Sequence, residues 1–230
     1  IELNCVKSTF SALFNIDAKA AFLALFTQAA IGANEVLRKT VLEFIQAQLK
    51  SLTPTLKKDS DAAAALSAGL KSLLTSGQNA QIGRDELRFF IQSIIAFSPH
   101  GNNMSKIKGD EGLKAELGLI AQTQAGLAGG APLDVSSETA LRHFLAVQGI
   151  ASTLAKDYGV DAEPYVQVFY QQFLPNLDSI AVPELKTQIV QAIANWAPKL
   201  TPKQSQTYFS TFFNLFKSTL PTGEVIKPVT

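Results

Sequence analysis

The sequence predicts an all-α protein built from stacked pairs of antiparallel helices, about ten helices in all. Apolar residues recur every three or four positions along most of the chain, and no segment alternates apolar and polar residues for long. Glycine, proline and asparagine interrupt this pattern at intervals, as expected of turns between helices. Hydrophobic residues make up 47% of the chain, and 15 residues are phenylalanine. This composition favours extensive contact between helices.

The stretch from Asp17 to Leu52 shows the predicted unit most clearly. Two amphipathic helices flank a turn at residues 32–34, with the sequence GAN. Each helix has one apolar face, and two such faces cover each other only in part. The apolar surface that remains must be buried by the next pair along the chain, as in helical-repeat proteins.

Turn and capping residues place the helices of the first half. Asp17 is expected to cap the second helix, proline at position 54 ends the third, and Gly77 ends the fourth. Residues 100–109 are predicted to be a loop from their composition. Gly112 and Gly118 weaken the helix that follows. The predicted helices are residues 3–15, 17–31, 34–52, 55–74, 83–98 and 110–124.

The second half begins after a glycine-rich connector at residues 126–132. Gly159 is predicted to be a left-handed C-cap. Thr201 is predicted to cap the last helix, with Pro202 at its first position. The predicted helices are residues 137–158, 161–174, 183–197 and 202–220, followed by an unpaired tail from Pro221.

Composition argues against several classes of function. Charged residues are 17% of the chain and the formal net charge is +1. Lys and Arg are not clustered as direct nucleic-acid binding requires. No apolar run reaches the roughly 20 residues of a transmembrane helix, so no membrane contact is expected. A start at Ile1 without a signal-peptide pattern predicts a fragment of a longer chain.

Reactive side chains are few. The single Cys5 can form no internal disulfide, which fits a reducing compartment, and no base lies beside it in sequence, so it is interpreted as a small helix residue. His100 and His143 are the only histidines, and the sequence supplies neither with convergent partners for catalysis or metal binding. We therefore expect no metal, no cofactor and no catalytic residue.

Two groups of residues are candidates for partner binding. The basic doublet Arg38-Lys39 is best explained as a solvated helix face, with contact to an acidic partner or RNA as the minority interpretation. Aromatic residues at helical spacing form a stripe near the C-terminus, and about three of the four are expected in the core. Phe213 and Phe216 are the candidates for a groove that binds a partner helix. The stripe consists of Phe209, Phe212, Phe213 and Phe216.

Three segments carry a resemblance to a known family. They are residues 10–19 (FSALFNIDAK) with Leu25-Phe26, residues 42–45 (LEFI) with 49–52 (LKSL), and residues 165–177, which end in QFLPNL. In this order they resemble the apoptosis inhibitor 5 family, also called the antiapoptosis clone protein. The similarity covers most of the chain and is poorest between residues 99 and 132.

The resemblance implies a fold and a cellular role. It implies a right-handed superhelix, with HEAT-like repeats at residues 1–125, armadillo-like repeats at 133–220 and a tail at 221–230, in one continuous α-solenoid. It further implies a non-enzymatic, antiapoptotic scaffold in the nucleus. The chain itself is expected to be a monomer. The partners implied are Acinus, fibroblast growth factor 2 and DEAD-box helicases of mRNA export. Asp85 and Glu86 match part of an acidic patch implicated in growth-factor binding, whereas Ser76 and Gly77 replace the preceding acidic pair.

Two other classes of function stay open. An armadillo-like transport or vesicle-coat adaptor would present a row of exposed Asn and Trp, of which Asn195 and Trp196 are the one hint. An all-helical enzyme would need a closed pocket that contains several titratable groups of shifted pKa.

Overall fold

The protein is described from a computed structural model that covers residues 2–17, 20–22, 24–25, 35–52, 61–75, 82–128 and 132–219. Within these ranges the chain is helical and contains no strand, which confirms the all-α class. Residues 20–22 and 24–25 are helical as well. The α-helices are α1 Glu2–Ile16, α2 Glu35–Leu52, α3 Asp61–Thr75, α4 Arg84–Phe97, α5 Met104–Gly109, α6 Glu111–Gln124, α7 Glu138–Tyr158, α8 Glu163–Gln167, α9 Pro183–Trp196 and α10 Pro202–Thr219.

Side-chain caps fix where several helices begin. The Asp110 carboxylate accepts a hydrogen bond from the Leu113 amide at 2.9 Å and starts α6. At α10, the Thr201 hydroxyl accepts from the Gln204 amide at 3.2 Å, and the Gln204 side chain accepts from the Thr201 amide at 2.6 Å. This reciprocal pair is a capping box, and it confirms the predicted start of the last helix.

The end of α7 confirms the predicted left-handed cap. Gly159 has a φ of +75°, a conformation in which a side chain would be strained. The Gly159 amide donates to the Ala155 carbonyl at 3.1 Å, and the Val160 amide donates to the Leu154 carbonyl at 3.3 Å. These bonds satisfy carbonyl groups that the end of a helix leaves without partners.

The chain divides into two compact units, and α7 contributes to both. The first unit comprises Ile1–Ala131 and Ala146–Asp161. In it α3 packs against α4 and α6 through fully buried leucines and isoleucines. Near its N-terminus the Phe10 ring meets the edges of Phe22 and Phe44, each with ring centroids 5.3 Å apart. These contacts join α1 to α2 and to the helical segment between them.

The second unit comprises Pro132–Leu145 and Ala162–Thr230. Its core is an aromatic cluster around Phe144, which is fully buried. The Phe144 ring lies 5.4 Å from Phe169, 5.2 Å from Phe173 and 6.1 Å from Tyr165, centroid to centroid. Helices α9 and α10 pack against the turn that carries Phe169 and Phe173.

The structure corrects two sequence predictions. The segment 100–109 is not all loop, because Asn103 accepts a hydrogen bond from the Lys106 amide and starts the short helix α5. The predicted helix 161–174 is not regular: α8 widens into a π-helical turn over Val168–Phe173 and tightens into a 3₁₀ turn over Leu174–Ser179. Pro175 offers no amide to the preceding turn, so the ladder cannot continue, and Asn176 Nδ2 donates to the Gln172 carbonyl instead.

Several predicted features lie outside the described residues. These are the turn at 32–34, most of the helix before it, the start of the predicted helix at 55–60, and the tail at 221–230. The subdivision into residues 1–125 and 133–220 and the superhelical stacking of helix pairs stay predictions.

Candidate protein-interaction site

An open groove lies between one face of α4 and the C-terminal half of α7, within the first unit. It comprises a cavity of about 220 Å³ and a neighbouring cavity of about 380 Å³, which share Gln92, Ile95 and Tyr158. We call it the α4–α7 groove. From α4 it is lined by Arg84, Arg88, Phe89, Ile91, Gln92, Ser93, Ile95 and Ala96, from α7 by Gly149, Ile150, Thr153, Leu154, Asp157 and Tyr158, and from the loop before α5 by Asn102.

Helical periodicity explains why α4 presents two different faces. Leu87, Phe90 and Ile94 are fully buried and hold the helix to the core of the unit. Arg84 and Arg88 lie one turn apart on another face, where both are exposed. The helix therefore fixes the position of two guanidinium groups at the groove.

The wall that α7 contributes to the groove begins with Gly149. A Cβ atom at Gly149 would lie 3.9 Å from an Nη atom of Arg84, so the guanidinium group of Arg84 lies close to the backbone of α7. Thr153 and Asp157 follow Gly149 at intervals of four residues on the same side of the helix. The small residue keeps this end of the groove open beside Arg84.

Buried apolar side chains lie at the base of the groove and charged side chains at its rim. Ile91, Ile95 and Leu154 are 2 to 3% exposed, whereas Arg84 and Arg88 at the rim are exposed. An apolar centre surrounded by a polar rim is the usual organisation of a protein–protein interface. The groove could therefore bury an apolar side chain of a partner while the rim contacts its polar groups.

The two arginines at the rim, Arg84 and Arg88, form no ion pair with the residues that the structure describes. Asp157 lies on the opposite wall and is half-buried. Among the residues that line the groove, two arginines against one aspartate leave an excess of positive charge, and the exposed Asp85 lies beside Arg84 outside this lining.

The acidic pair predicted from the sequence lies at the beginning of this same helix. Asp85 is exposed, beside Arg84. Glu86 is half-buried, and its carboxylate accepts a hydrogen bond from the Gly83 amide at 3.1 Å, which caps α4. Only Asp85 of the pair is thus presented to solvent without a capping role.

The described lining of this groove includes none of the other predicted residues. Lys39 is exposed on α2. The backbone of Arg38 is helical in α2, and that of Phe213 and Phe216 is helical in α10, while their side chains lie outside the described part of the structure. Phe209, from the same aromatic stripe, is 67% exposed.

Comparison with known proteins decides the family. The family model described as Apoptosis inhibitory protein 5 (API5) matches residues 1–228. The chain belongs to this family. The match confirms the resemblance carried by residues 10–19, 42–52 and 165–177, and family membership supports a function like that of an apoptosis inhibitor. Comparison with curated proteins and with solved structures found no match.

A separate cavity of about 550 Å³ in the first unit is lined by ionic groups that are largely paired with one another. Lys71 forms an ion pair with Glu116 across it. His100 Nε2 lies 2.9 Å from the carboxylate of Asp110. The Leu113 amide, and next the hydrogen bond with His100, lower the pKa of Asp110 below its ordinary value. These contacts join α3, the loop after α4 and the start of α6.

Two further features considered from the sequence are the single cysteine and a possible metal site. Cys5 is exposed on α1 beside an apolar cavity of about 330 Å³. No group of three or more His, Cys, Asp and Glu side chains is placed to hold a metal ion among the residues described. In the same part of the chain, no helix has the length and apolar character needed to cross a membrane.

Proposed function

We propose that this chain is a non-enzymatic protein-interaction module that restrains apoptosis by holding a partner protein in the α4–α7 groove. The observation that carries the proposal is the groove itself, in a chain that belongs to the apoptosis inhibitory protein 5 family. It combines a buried apolar floor with exposed arginines that have no ion-pair partner in the described structure. Desolvated apolar contacts surrounded by polar contacts dominate the binding energy of protein interfaces.

The distribution of perturbed titratable groups supports binding rather than catalysis. Burial raises the pKa of Tyr165 above its ordinary value. Its hydroxyl lies in the aromatic core and has no hydrogen-bond partner among the described residues. Burial, with the nearby Glu163, raises the pKa of Tyr208 to about 12. Asp134 and Asp178 are exposed. A hydrogen bond from Ser136 lowers the pKa of Asp134, and one from Lys186 lowers the pKa of Asp178. These groups do not converge on one pocket, as an acid–base site would require.

The partners and the location are part of the proposal. The family resemblance suggests a nuclear scaffold that binds Acinus, fibroblast growth factor 2 and a DEAD-box helicase of mRNA export. The exposed Asp85 supports contact with a basic partner only weakly, because the neighbouring Glu86 is engaged in capping α4 and Arg84 precedes it. The α4–α7 groove, which the sequence did not single out, is therefore the surface on which we place the main contact.

The adaptor alternative is not supported at Trp196. It needs an exposed row of Asn and Trp, but Trp196 is 1% exposed. The Lys199 ammonium lies 4.4 Å from the centre of the Trp196 ring and adds to its covering. Trp196 is a core residue of the second unit.

A steric block of the groove tests the proposed function. Thr153 is exposed on the α7 wall, and Thr153→Trp should fill the groove without touching the core. Thr187 on α9 is a matched control, since it too is exposed and its hydroxyl donates to the carbonyl four residues earlier. Thr187→Trp places the same bulk in the second unit.

The readout is cell death. Cultured cells expressing equal amounts of the full chain are treated with staurosporine, and caspase-3 activity is measured. The parent chain and Thr187→Trp should both lower caspase activity relative to empty vector, whereas Thr153→Trp should give little protection. Full protection by Thr153→Trp, with circular dichroism that matches the parent, would refute the proposed site.

A further inference from the structure

We propose that the α4–α7 groove recognises an acidic segment of its partner, in which two carboxylates one helical turn apart pair with Arg84 and Arg88. This inference rests on the proposed function and specifies the chemistry of the partner. Its basis is the combination of two exposed arginines on adjacent turns, an apolar floor between the helices, and an aspartate on the opposite wall.

The two arginines can pair with two carboxylates on adjacent turns of a partner. The Cβ atoms of residues four apart on a helix face lie about 5–6 Å apart, so two positively charged side chains leave α4 close together. Partner carboxylates with the same spacing match them, because a partner helix repeats side chains at the same interval. Each guanidinium can form two parallel hydrogen bonds with a carboxylate, a geometry that a lysine cannot provide.

The backbone of α7 contributes to the fit at the Arg84 end. The lack of a side chain at Gly149 leaves the Arg84 guanidinium only one layer of atoms from α7. Arg84 itself stays exposed and accessible to an anion. An alanine at position 149 would be in ordinary van der Waals contact with the guanidinium group, whereas a bulkier side chain there would displace it.

The floor and the opposite wall define the rest of the partner. Ile91, Ile95 and Ile150 can accept an aliphatic side chain between the two carboxylates. Asp157 would repel a third carboxylate on its side, and favours a lysine or arginine there. The expected occupant is an amphipathic segment with two acidic residues on one flank, a leucine or isoleucine at the centre and a basic residue on the other flank.

Labelled peptides test this charge pattern directly. The probe is an alanine-based helical peptide of about 16 residues, a length at which isolated helices become measurable. It carries two glutamates four residues apart, a central leucine and one lysine on the opposite flank. A second peptide has lysine in place of both glutamates, and a third has phosphoserine in place of both. Binding to the full chain is followed by fluorescence anisotropy.

The glutamate peptide should bind at least about tenfold more tightly than the lysine peptide, which corresponds to about 1.4 kcal/mol. The double variant Arg84→Glu, Arg88→Glu should invert this preference. The control Lys106→Glu, Lys203→Glu makes the same change of charge at exposed positions outside the groove and should change affinity less than about twofold. Arg84→Lys, Arg88→Lys should weaken binding of the glutamate peptide while keeping the preference.

Two outcomes would overturn the inference. Equal binding of the glutamate and lysine peptides would show that the groove does not select carboxylates. Binding of the phosphoserine peptide alone would assign the groove to phosphorylated segments instead.

The block at Thr153 separates this inference from the function on which it rests. Photo-cross-linking from benzoylphenylalanine at position 92, inside the groove, follows the cellular partner. If Thr153→Trp abolishes both the cross-link and the protection from death while Arg84→Glu, Arg88→Glu leaves both intact, the proposed function holds and the acidic partner is wrong. If Thr153→Trp leaves both intact, the proposed function itself fails.

Discussion

The aromatic cluster around Phe144 should carry much of the stability of the second unit. Replacing Phe144 with alanine removes a fully buried ring that meets Phe169 and Phe173 edge to face, at 5.4 and 5.2 Å. Lost transfer energy and the cavity left behind cost about 3 to 5 kcal/mol for a buried phenylalanine. Each aromatic pair adds about 0.5 to 1.5 kcal/mol to what burial alone provides. Because the range for truncated phenylalanines already includes such contacts, we expect Phe144→Ala to lie at its upper end and to destabilise the unit by about 4 to 5 kcal/mol.

The single tryptophan makes this loss measurable in one unit. Trp196 is 1% exposed and belongs to the second unit, so its fluorescence reports unfolding of that unit alone. With a urea dependence of about 2 kcal/mol per molar, the midpoint for Phe144→Ala should fall by about 2 M. Phe144→Leu keeps most of the volume and should cost less than about 2 kcal/mol.

Phe209→Ala is the matched control, because it removes the same atoms in the same unit from a side chain that is 67% exposed. Its midpoint should fall by less than about 0.5 M, since surface substitutions rarely exceed about 0.5 kcal/mol. Equal shifts for Phe144→Ala and Phe209→Ala would refute the assignment of the core.

Three further predictions concern the first unit and α7, each checked by thermal or urea unfolding followed by far-ultraviolet circular dichroism. The Gln124 amide donates to the Leu74 carbonyl at 2.7 Å in a buried site, so Gln124→Leu should cost about 1 to 3 kcal/mol, and Gln122→Leu on the same helix much less. Gly159→Ala should destabilise the protein by about 1 kcal/mol, because Gly159 has a positive φ. Gly149→Ala should instead stabilise it by up to about 1 kcal/mol, because Gly149 lies inside a helix and has room for a methyl group. Stabilisation by Gly159→Ala and destabilisation by Gly149→Ala would contradict the backbone assignment. The pKa of Asp110 is lowered in the folded state, so its carboxylate stabilises the fold. The free energy of unfolding of the parent should therefore exceed that of Asp110→Asn by its full amount above pH 4, and the difference should shrink as the pH falls through the lowered pKa. A difference that is constant from pH 7 to pH 2 would contradict this linkage.

Local signals in the sequence were sufficient to place most helices. The boundaries at Gly159 and Thr201 follow from chemistry contained within a few residues, a positive φ in one case and a capping box in the other. The prediction of a regular helix at residues 161–174 failed, although its cause is also local. The irregular turn at Val168–Phe173 depends on how the chain accommodates Pro175.

The acidic pair at the start of α4 shows how a local rule can be missed. A capping box is recognised from a Ser, Thr, Asp or Asn three residues before Glu, but position 83 is glycine. Glu86 nevertheless accepts the Gly83 amide, so one of the two acids interpreted as a binding patch has a structural role.

The groove could not be derived from the sequence. The spacing of Arg84 and Arg88 marks one exposed face of α4, and this signal was available. Its pairing with Gly149 and Asp157, about 60 to 70 positions later, depends on the packing of α4 against α7. Periodicity likewise marked an aromatic stripe on α10 but did not show which aromatic residues are buried. Tyr208 is buried and stacks on Tyr170, whereas its neighbour Phe209, which belongs to the stripe, is exposed.

Hydrogen exchange of the full chain with and without the glutamate peptide tests the groove most directly. Amide protection should increase in fragments covering residues 84–97 and 149–158, which form its two walls, and should stay unchanged over residues 183–196 and 202–210 of the second unit. Increased protection at α9 or α10 instead, or protection at α4 that persists in Arg84→Glu, Arg88→Glu, would contradict the account.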